Sequence, residues 1–296
     1  MDINTDAQEI VTNSFISWVK NKKLQKYFVI LAILEVIFAV ILMSILNESI
    51  SNFAQLNETQ IELAITTIIS FYGSMMLFLI PFSLIVTFFS YKIIQEGLKL
   101  SKRKSIQLTF LRYLKFLLYP WFAFLAALFS IFDIRYLAIG IIGGLIFIIG
   151  GLTFLTNPAL GIPIMILGFL LIFVYLIIVL INSIKLVLGQ IIYVEKERTI
   201  FESLKESFIV TNGNVVNLIL LGLILGIIVS LISGLVSLPS TIYVQMLIES
   251  NPNPTFIFMD LIYQLLLIPA YIVAGYTIIC GNLFTINIYS KIKSKN

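Results

Sequence analysis

Seven long apolar stretches dominate this chain, at about residues 27–46, 64–90, 116–132, 136–155, 159–182, 215–238 and 256–289. A helix needs about 20 apolar residues to cross the hydrocarbon core of a bilayer, and most of these stretches reach that length. Stretch 116–132 is short unless 111–115 is added to it. The second and last are longer than needed, so they tilt or run on past the bilayer. Of the 296 residues, 59% are hydrophobic and 11% charged, against roughly 25% charged in a soluble domain. No polar shell can be made from that composition. The reading is an all-α fold, a polytopic transmembrane helical bundle forming a single integral membrane domain over 1–296.

The cations orient it. Lys20, Lys22, Lys23 and Lys26 precede the first stretch. Lys92, Lys99, Lys102, Arg103, Lys104, Arg112 and Lys115 lie between the second and third. Lys185, Lys196, Arg198 and Lys205 surround the next polar region, and Lys291, Lys293 and Lys295 form the tail. These are eighteen of the nineteen Lys and Arg residues. Loops 47–63 and 239–255 hold none, only Glu48, Glu58, Glu62 and Glu249. By the positive-inside rule both termini are cytoplasmic and those two loops external. The first 26 residues are polar and no small-residue cleavage pattern follows the first apolar run, so 27–46 reads as an uncleaved anchor.

Termini on one side require an even number of crossings. Between Lys115 and Lys185, both inside, lie three apolar segments, so one of them does not cross. The choice falls on 136–155, which carries Gly140, Gly143, Gly144, Gly150 and Gly151, ends at Asn157-Pro158, and follows Arg135, the one misplaced cation. The expected architecture is six crossings in three helical hairpins, plus this Gly-rich re-entrant or partial segment, covered by protein. Three pseudo-repeats follow, 1–94, 95–190 and 191–296, each opened by a short cytoplasmic amphipathic helix. Ser14-Phe15-Ile16 and Ser207-Phe208-Ile209 recur before the first and third hairpins. Thr199 with Glu202 fits a capping box. Ile200, Phe201, Leu204, Phe208 and Thr211 share a helical face, with Glu202, Lys205 and Glu206 facing away. Gly213 suits the residue past the helix end.

Glu197, the run Ser203-Leu204-Lys205-Glu206-Ser207-Phe208 and Asn212-Gly213-Asn214 before an apolar span form a motif. With the opening from Phe15 to Leu24, it resembles a group of uncharacterised prokaryotic, especially archaeal, multi-pass membrane proteins. That group is related to the membrane domain attached to some glycerophosphoryl diester phosphodiesterases. The resemblance implies a six-span fold in a prokaryotic cell membrane and brings no catalytic residues. The soluble phosphodiesterase domain is absent, and stretch 136–158 looks like an addition to the pattern.

Chemistry-bearing residues are few. There is no His and one Cys, Cys280, which removes the commonest general base, disulfides and Cys-based zinc sites. Hydrolase, kinase, zincin and nucleotide-loop motifs are missing. The reading is therefore not an enzyme, with no cofactor and no nucleic-acid partner. Glu35 is the one ionisable residue deep in a span. It is either a protonated carboxyl bonded to a neighbouring helix or a proton or cation site. Asn182, Gln264 and Asn282 are its candidate partners. In the last span Asp260, Gln264, Tyr271, Gly275 and Asn282 form a polar stripe that faces the bundle interior or a cavity. On 215–238, Gly222, Gly226, Ser230 and Gly234 form a small-residue stripe expected to face another span. Lys99, Lys102, Arg103 and Lys104 are candidate contacts for anionic lipid headgroups. Asn47-Glu48-Ser49 and Asn57-Glu58-Thr59 match the glycosylation pattern. The leading function is a scaffold, a lipid-interacting module or a partner subunit, whose partners are membrane lipids, another membrane protein or a second copy. The alternative is a small-solute or ion transporter using Glu35 and the last span.

Overall fold

The computed structural model describes residues 3–54, 61–250 and 261–295. Among these residues every regular element is a helix: α1 (Ile3–Ile16), α2 (Lys22–Ala54), α3 (Ile61–Leu100), α4 (Phe110–Leu128), α5 (Arg135–Thr156), α6 (Pro158–Leu186), α7 (Gly189–Glu195), α8 (Ile200–Thr211), α9 (Val215–Ser250) and α10 (Leu261–Lys295). Seven of them, α2 to α6, α9 and α10, are long and apolar enough to cross a membrane. Dozens of Leu, Ile, Phe and Val side chains stay exposed along them, as helices solvated by lipid require. Helices outrun the expected loops: α2 continues to Ala54, and α9 passes through Pro239 to Ser250. Pro239 removes one donor. Around it Ser237 gives its hydroxyl to the Gly234 carbonyl, and Ser240 and Thr241 give theirs to the Ser237 carbonyl.

Two compact units divide the chain, and their boundaries cut through α9 and α10. One comprises Asp2–Leu100 with Gly222–Asn287. Here α2 pairs with α3 through stacked Phe38 and Phe82, 4.1 Å between centroids, and through Tyr27 and Phe89. α10 runs antiparallel against α2. A Cβ at Gly275 would stand 3.1 Å from the Ala32 backbone nitrogen, so a larger residue there pushes the helices apart. Gly97 of α3 is filled in the same way by Ile286 of α10. α1 docks on α10 through an aromatic cluster, Phe15, Trp18, Phe28 and Tyr276. Asn287 donates to the buried Ser14 hydroxyl, 3.0 Å away.

The other unit comprises Ser101–Leu221 with Ile288–Asn296. Its frame is the α5–α6 hairpin, turned at the single residue Asn157, with Pro158 as the first residue of α6. Stretch 136–155 is thus part of a continuous helix of 22 residues, about 33 Å long. Its glycines serve close approach. Cβ atoms at Gly143 and Gly150 would meet Leu171 and Met165, and those at Gly161 and Gly168 would meet the backbones of Phe154 and Phe147 at 2.3 and 2.4 Å. The contacts stay in antiparallel register from the turn down to Gly140 against Tyr175. Without a hydrophobic force between helices in lipid, such backbone contact is what holds them together.

α4 runs back along α7 and the C-terminal part of α6: Tyr119, Ala123 and Phe124 share a recess with Ser183, Leu186 and Gln190. Near the start of α4, Arg112 donates to the carbonyls of Tyr193 and Lys196, and Phe116 and Tyr119 lie against the Tyr193 ring. α4 ends in a Schellman motif: Ser130 N–H bonds Ala127 and Ile131 N–H bonds Ala126. Just beyond, Asn182 donates to the Ser130 hydroxyl, 3.3 Å away. Phe132 meets the rings of Phe201 and Phe208 in α8. The Arg135 guanidinium holds the Asp133 carboxyl below its usual range, and the Lys185 charge acts in the same direction. Asn182 is four residues, about 6 Å, from the end of α6. At the C-terminal end of α4 the Leu128 carbonyl accepts from the hydroxyl of Tyr175, eleven residues or about 16 Å before the end of α6, so this 19-residue helix, about 28 Å long, reaches from α7 back along α6.

α8 closes the C-terminal end of α6. Its capping box forms as expected: Glu202 N–H donates to Thr199 Oγ1 at 3.2 Å and Thr199 N–H to Glu202 Oε2 at 2.9 Å. Gly213 takes φ 84°. The buried face differs from the expected one. Ser203, Leu204, Ser207 and Thr211 are buried while Phe201 and Ile209 are exposed. Ser207 and Thr211 donate to the Lys185 carbonyl at 2.7 and 2.9 Å, satisfying an end of α6 that has no helical partner. Glu206, expected to face away, pairs with Lys196 and Arg198.

Candidate functional site

Glu35 sits half-buried on α2, three residues beyond the Ala32–Gly275 contact. Among the described residues it has no hydrogen-bond or ion-pair partner. In the antiparallel register it is level with about residue 272 of α10. Asn282 is then ten residues away, about 15 Å along the axis, and Gln264 eight residues, about 12 Å. The structure does not bring these residues together. Asn282 donates instead to the Ile278 carbonyl of its own helix, 2.8 Å away. Asn182 belongs to the other unit and is spent on Ser130. The Gln264 side chain and Asp260 lie outside the described residues. Of the expected polar stripe, Gly275 and Tyr271 do face α2. Tyr271 lines a crevice there with Val36, Ala39, Met43 and Ile268. That crevice is narrow, with about 10 Å³ of free space, room for a single water at most.

The four candidate lipid contacts part ways. Lys99 pairs with Glu96 at 2.8 Å, beside Lys23 at 3.6 Å. Arg103 turns inward in its unit. It donates to Glu195 at 3.0 Å and to Ser290, and lies over the Tyr289 ring. Glu195, whose side chain is 8% exposed, also receives Lys293 at 3.0 Å and the Tyr289 hydroxyl at 2.5 Å. Lys102, in a left-handed turn at φ 55°, and Lys104 are exposed. The small-residue stripe of α9 is also unmet: Gly222, Gly226, Ser230 and Gly234 are exposed. Cβ atoms at the three glycines would find nothing within 4 Å.

The roomiest feature described is one that residue spacing did not single out. Between α4 and α8 runs a cleft of about 630 Å³, walled by Leu118, Phe122, Ala126 and Phe129 on one side and Phe201 and Leu204 on the other. Beside it opens a polar recess of about 350 Å³. Arg112, Lys115 and Arg198 line that recess, together with Glu197 and Glu202. Only Lys115 and Thr199 line both. Arg112 is committed to backbone carbonyls, and Arg198 to Glu206. The Glu202 carboxyl is turned to the Thr199 backbone, which holds it below the usual carboxylate range. Lys115 is exposed and has no partner among the described residues. The sequence signal for this site was the pair Arg112 and Lys115 at the start of α4, among exposed Phe110, Leu111, Leu114 and Leu118. No family model, curated protein or solved structure matches this chain.

Proposed function

We propose that this chain is a multi-pass protein of a prokaryotic cell membrane with no catalytic role, acting at the cytoplasmic leaflet as a lipid-interacting scaffold or partner subunit. One observation carries the reading: an apolar cleft between α4 and α8 adjoins a recess lined by Arg112, Lys115 and Arg198. Cations beside an apolar cleft suit the boundary where headgroups meet acyl chains.

The topology we propose follows from the cations. We take α4, not 136–155, as the segment that does not cross. Six crossings remain, α2–α3, α5–α6 and α9–α10, with both termini cytoplasmic. Arg135 then joins the other cations, and all nineteen Lys and Arg residues lie on one side, as the positive-inside rule favours. Each hairpin is now preceded by a helix at the cytoplasmic surface: α1, α4 and α8. Ser14 and Ser207 support this repeat, because both are buried and both bond to a residue near a span end. The resemblance to the uncharacterised archaeal group is consistent with six spans, and we propose that affiliation on its motif.

Melting in detergent–lipid micelles tests the reading. Phosphatidylglycerol should raise the melting temperature above that in phosphatidylcholine at equal mole fraction, and equal values would remove the lipid-interacting role. Transport through Glu35 and the last span is the second reading. A carboxyl with no partner among the described residues favours it, and the narrow apolar crevice beside it opposes it. Flux driven by a pH gradient and abolished by Glu35→Gln would put transport first.

A further inference from the structure

Resting on that reading, we infer that the cleft between α4 and α8 is a binding site for one phospholipid, with an acyl chain in the apolar arm and an anionic headgroup at Lys115. The two arms call for different chemistry from one ligand. The larger, about 630 Å³, falls within the 300–1,000 Å³ of ligand pockets. Its walls are aliphatic and aromatic apart from Lys115 and Thr199. The smaller is lined by three cations against two carboxylates. A ligand filling both is apolar at one end and polar at the other, and it passes Lys115 at the joint.

The sign of the polar end follows from which groups are free. Arg112 and Arg198 add positive field but their donors are engaged. Glu202 is drawn to its capping contact. The exposed Glu197 carboxylate, also without a partner among the described residues, opposes Lys115, but three cations against two carboxylates leave the recess net positive. Lys115 is the cation left to meet an anion, and an ammonium is a flexible point-charge donor suited to a phosphate. The position fits as well. The cleft lies beside α8, which closes the C-terminal end of α6; on that reading this end is cytoplasmic, at the depth where phosphates meet acyl chains. A phospholipid of the cytoplasmic leaflet is present there without any delivery step.

The test uses the full chain in phosphatidylcholine bilayers. Trp18 and Trp121 are replaced by Phe, and Phe122→Trp, on the cleft wall, serves as the reporter. Small mole fractions of lipid with brominated acyl chains are then added, either phosphatidylglycerol or phosphatidylcholine. The anionic lipid should quench at a mole fraction about fivefold lower, the preference expected from one cation near the surface. Lys115→Glu should remove that preference, and Lys104→Glu, at an exposed cation outside the cleft, should leave it. Equal quenching by both lipids would mean bulk bilayer contact and overturn the site. Absence of quenching by either would mean a closed or protein-filled cleft and overturn it too. If Lys104→Glu abolishes the preference and Lys115→Glu does not, the site fails while the leaflet reading stands. If phosphatidylglycerol is favoured neither here nor in melting, both fail. Thermal melting of the Lys115→Glu variant in phosphatidylcholine should match the parent, which keeps a folding defect apart from lost binding.

Discussion

Asn182 donates its side-chain N–H to the Ser130 hydroxyl at 3.3 Å, tying the exit of α4 to the last turns of α6. Ser130 holds a left-handed backbone, φ 47°, at the helix-terminating position where glycine is usual. A glycine would meet the backbone requirement and lose the hydroxyl. The pair therefore marks the end of α6 at which the chain leaves α4.

The first prediction follows from that location. In intact cells or oriented vesicles, a cysteine at Arg135 should be modified from the cytoplasmic side, and one at Asn157, in the hairpin turn, from outside. Cys280 is buried and replaceable by Ala as background. Labelling of position 135 from outside would restore α4 as a crossing helix and remove α5 from the count.

The same residues show what could be read in advance. Local signals held up: the capping box at Thr199 and Glu202 and the left-handed Gly213 depend on a few neighbouring residues. Parity along the chain also required one of three segments not to cross, but it could not say which. Glycine content pointed to 136–155. The topology we propose weighs Arg135 instead, because placing that cation inside with the others selects 116–132. Glycines mislead because a one-dimensional pattern does not name the facing helix. Gly150 and Gly168 meet a partner's backbone, whereas the more regular stripe at Gly222, Gly226 and Gly234 meets open space.

The glycine contrast gives the second prediction. Gly168→Leu forces a side chain into the Phe147 backbone and should cost about 1–3 kcal/mol, the range for overpacking. Gly226→Leu should stay within about 0.5 kcal/mol, as for surface positions without partners. Unfolding in mixed micelles at matched detergent composition would measure both, and a larger loss at Gly226 would show that α9 has an intermolecular partner.

The third concerns Arg103, whose expected lipid contact the structure replaces with Glu195. Glu195→Ala leaves Arg103 and Lys293 without their shared carboxylate. Breaking one partner of a buried pair costs roughly 3–5 kcal/mol. Lys293 is 37% exposed, so solvent can take up part of its charge and the lower end applies. Lys104→Ala should change stability little. Equal melting of Glu195→Ala and the parent would show that solvent already screens the cluster.

Glu35 separates the two functional readings most directly. Its expected partners are out of reach: Asn282 bonds within its own helix, Asn182 bonds Ser130, and Gln264 is about 12 Å along α10. A carboxyl with no bond to keep offers little to lose. Glu35→Gln should therefore fold like the parent, and Glu35→Leu should be neutral or stabilising by about 1 kcal/mol, because it removes a polar group from apolar surroundings. A scaffold predicts that both variants melt at or above the parent temperature and that none of the three proteins carries flux in proteoliposomes. A transporter predicts the opposite split, with Leu and Gln equally stable but the parent alone passing protons or cations down a gradient. Destabilisation by Leu with rescue by Gln would point to a third arrangement, a hydrogen bond from residues outside those described here. We expect stable variants and no flux.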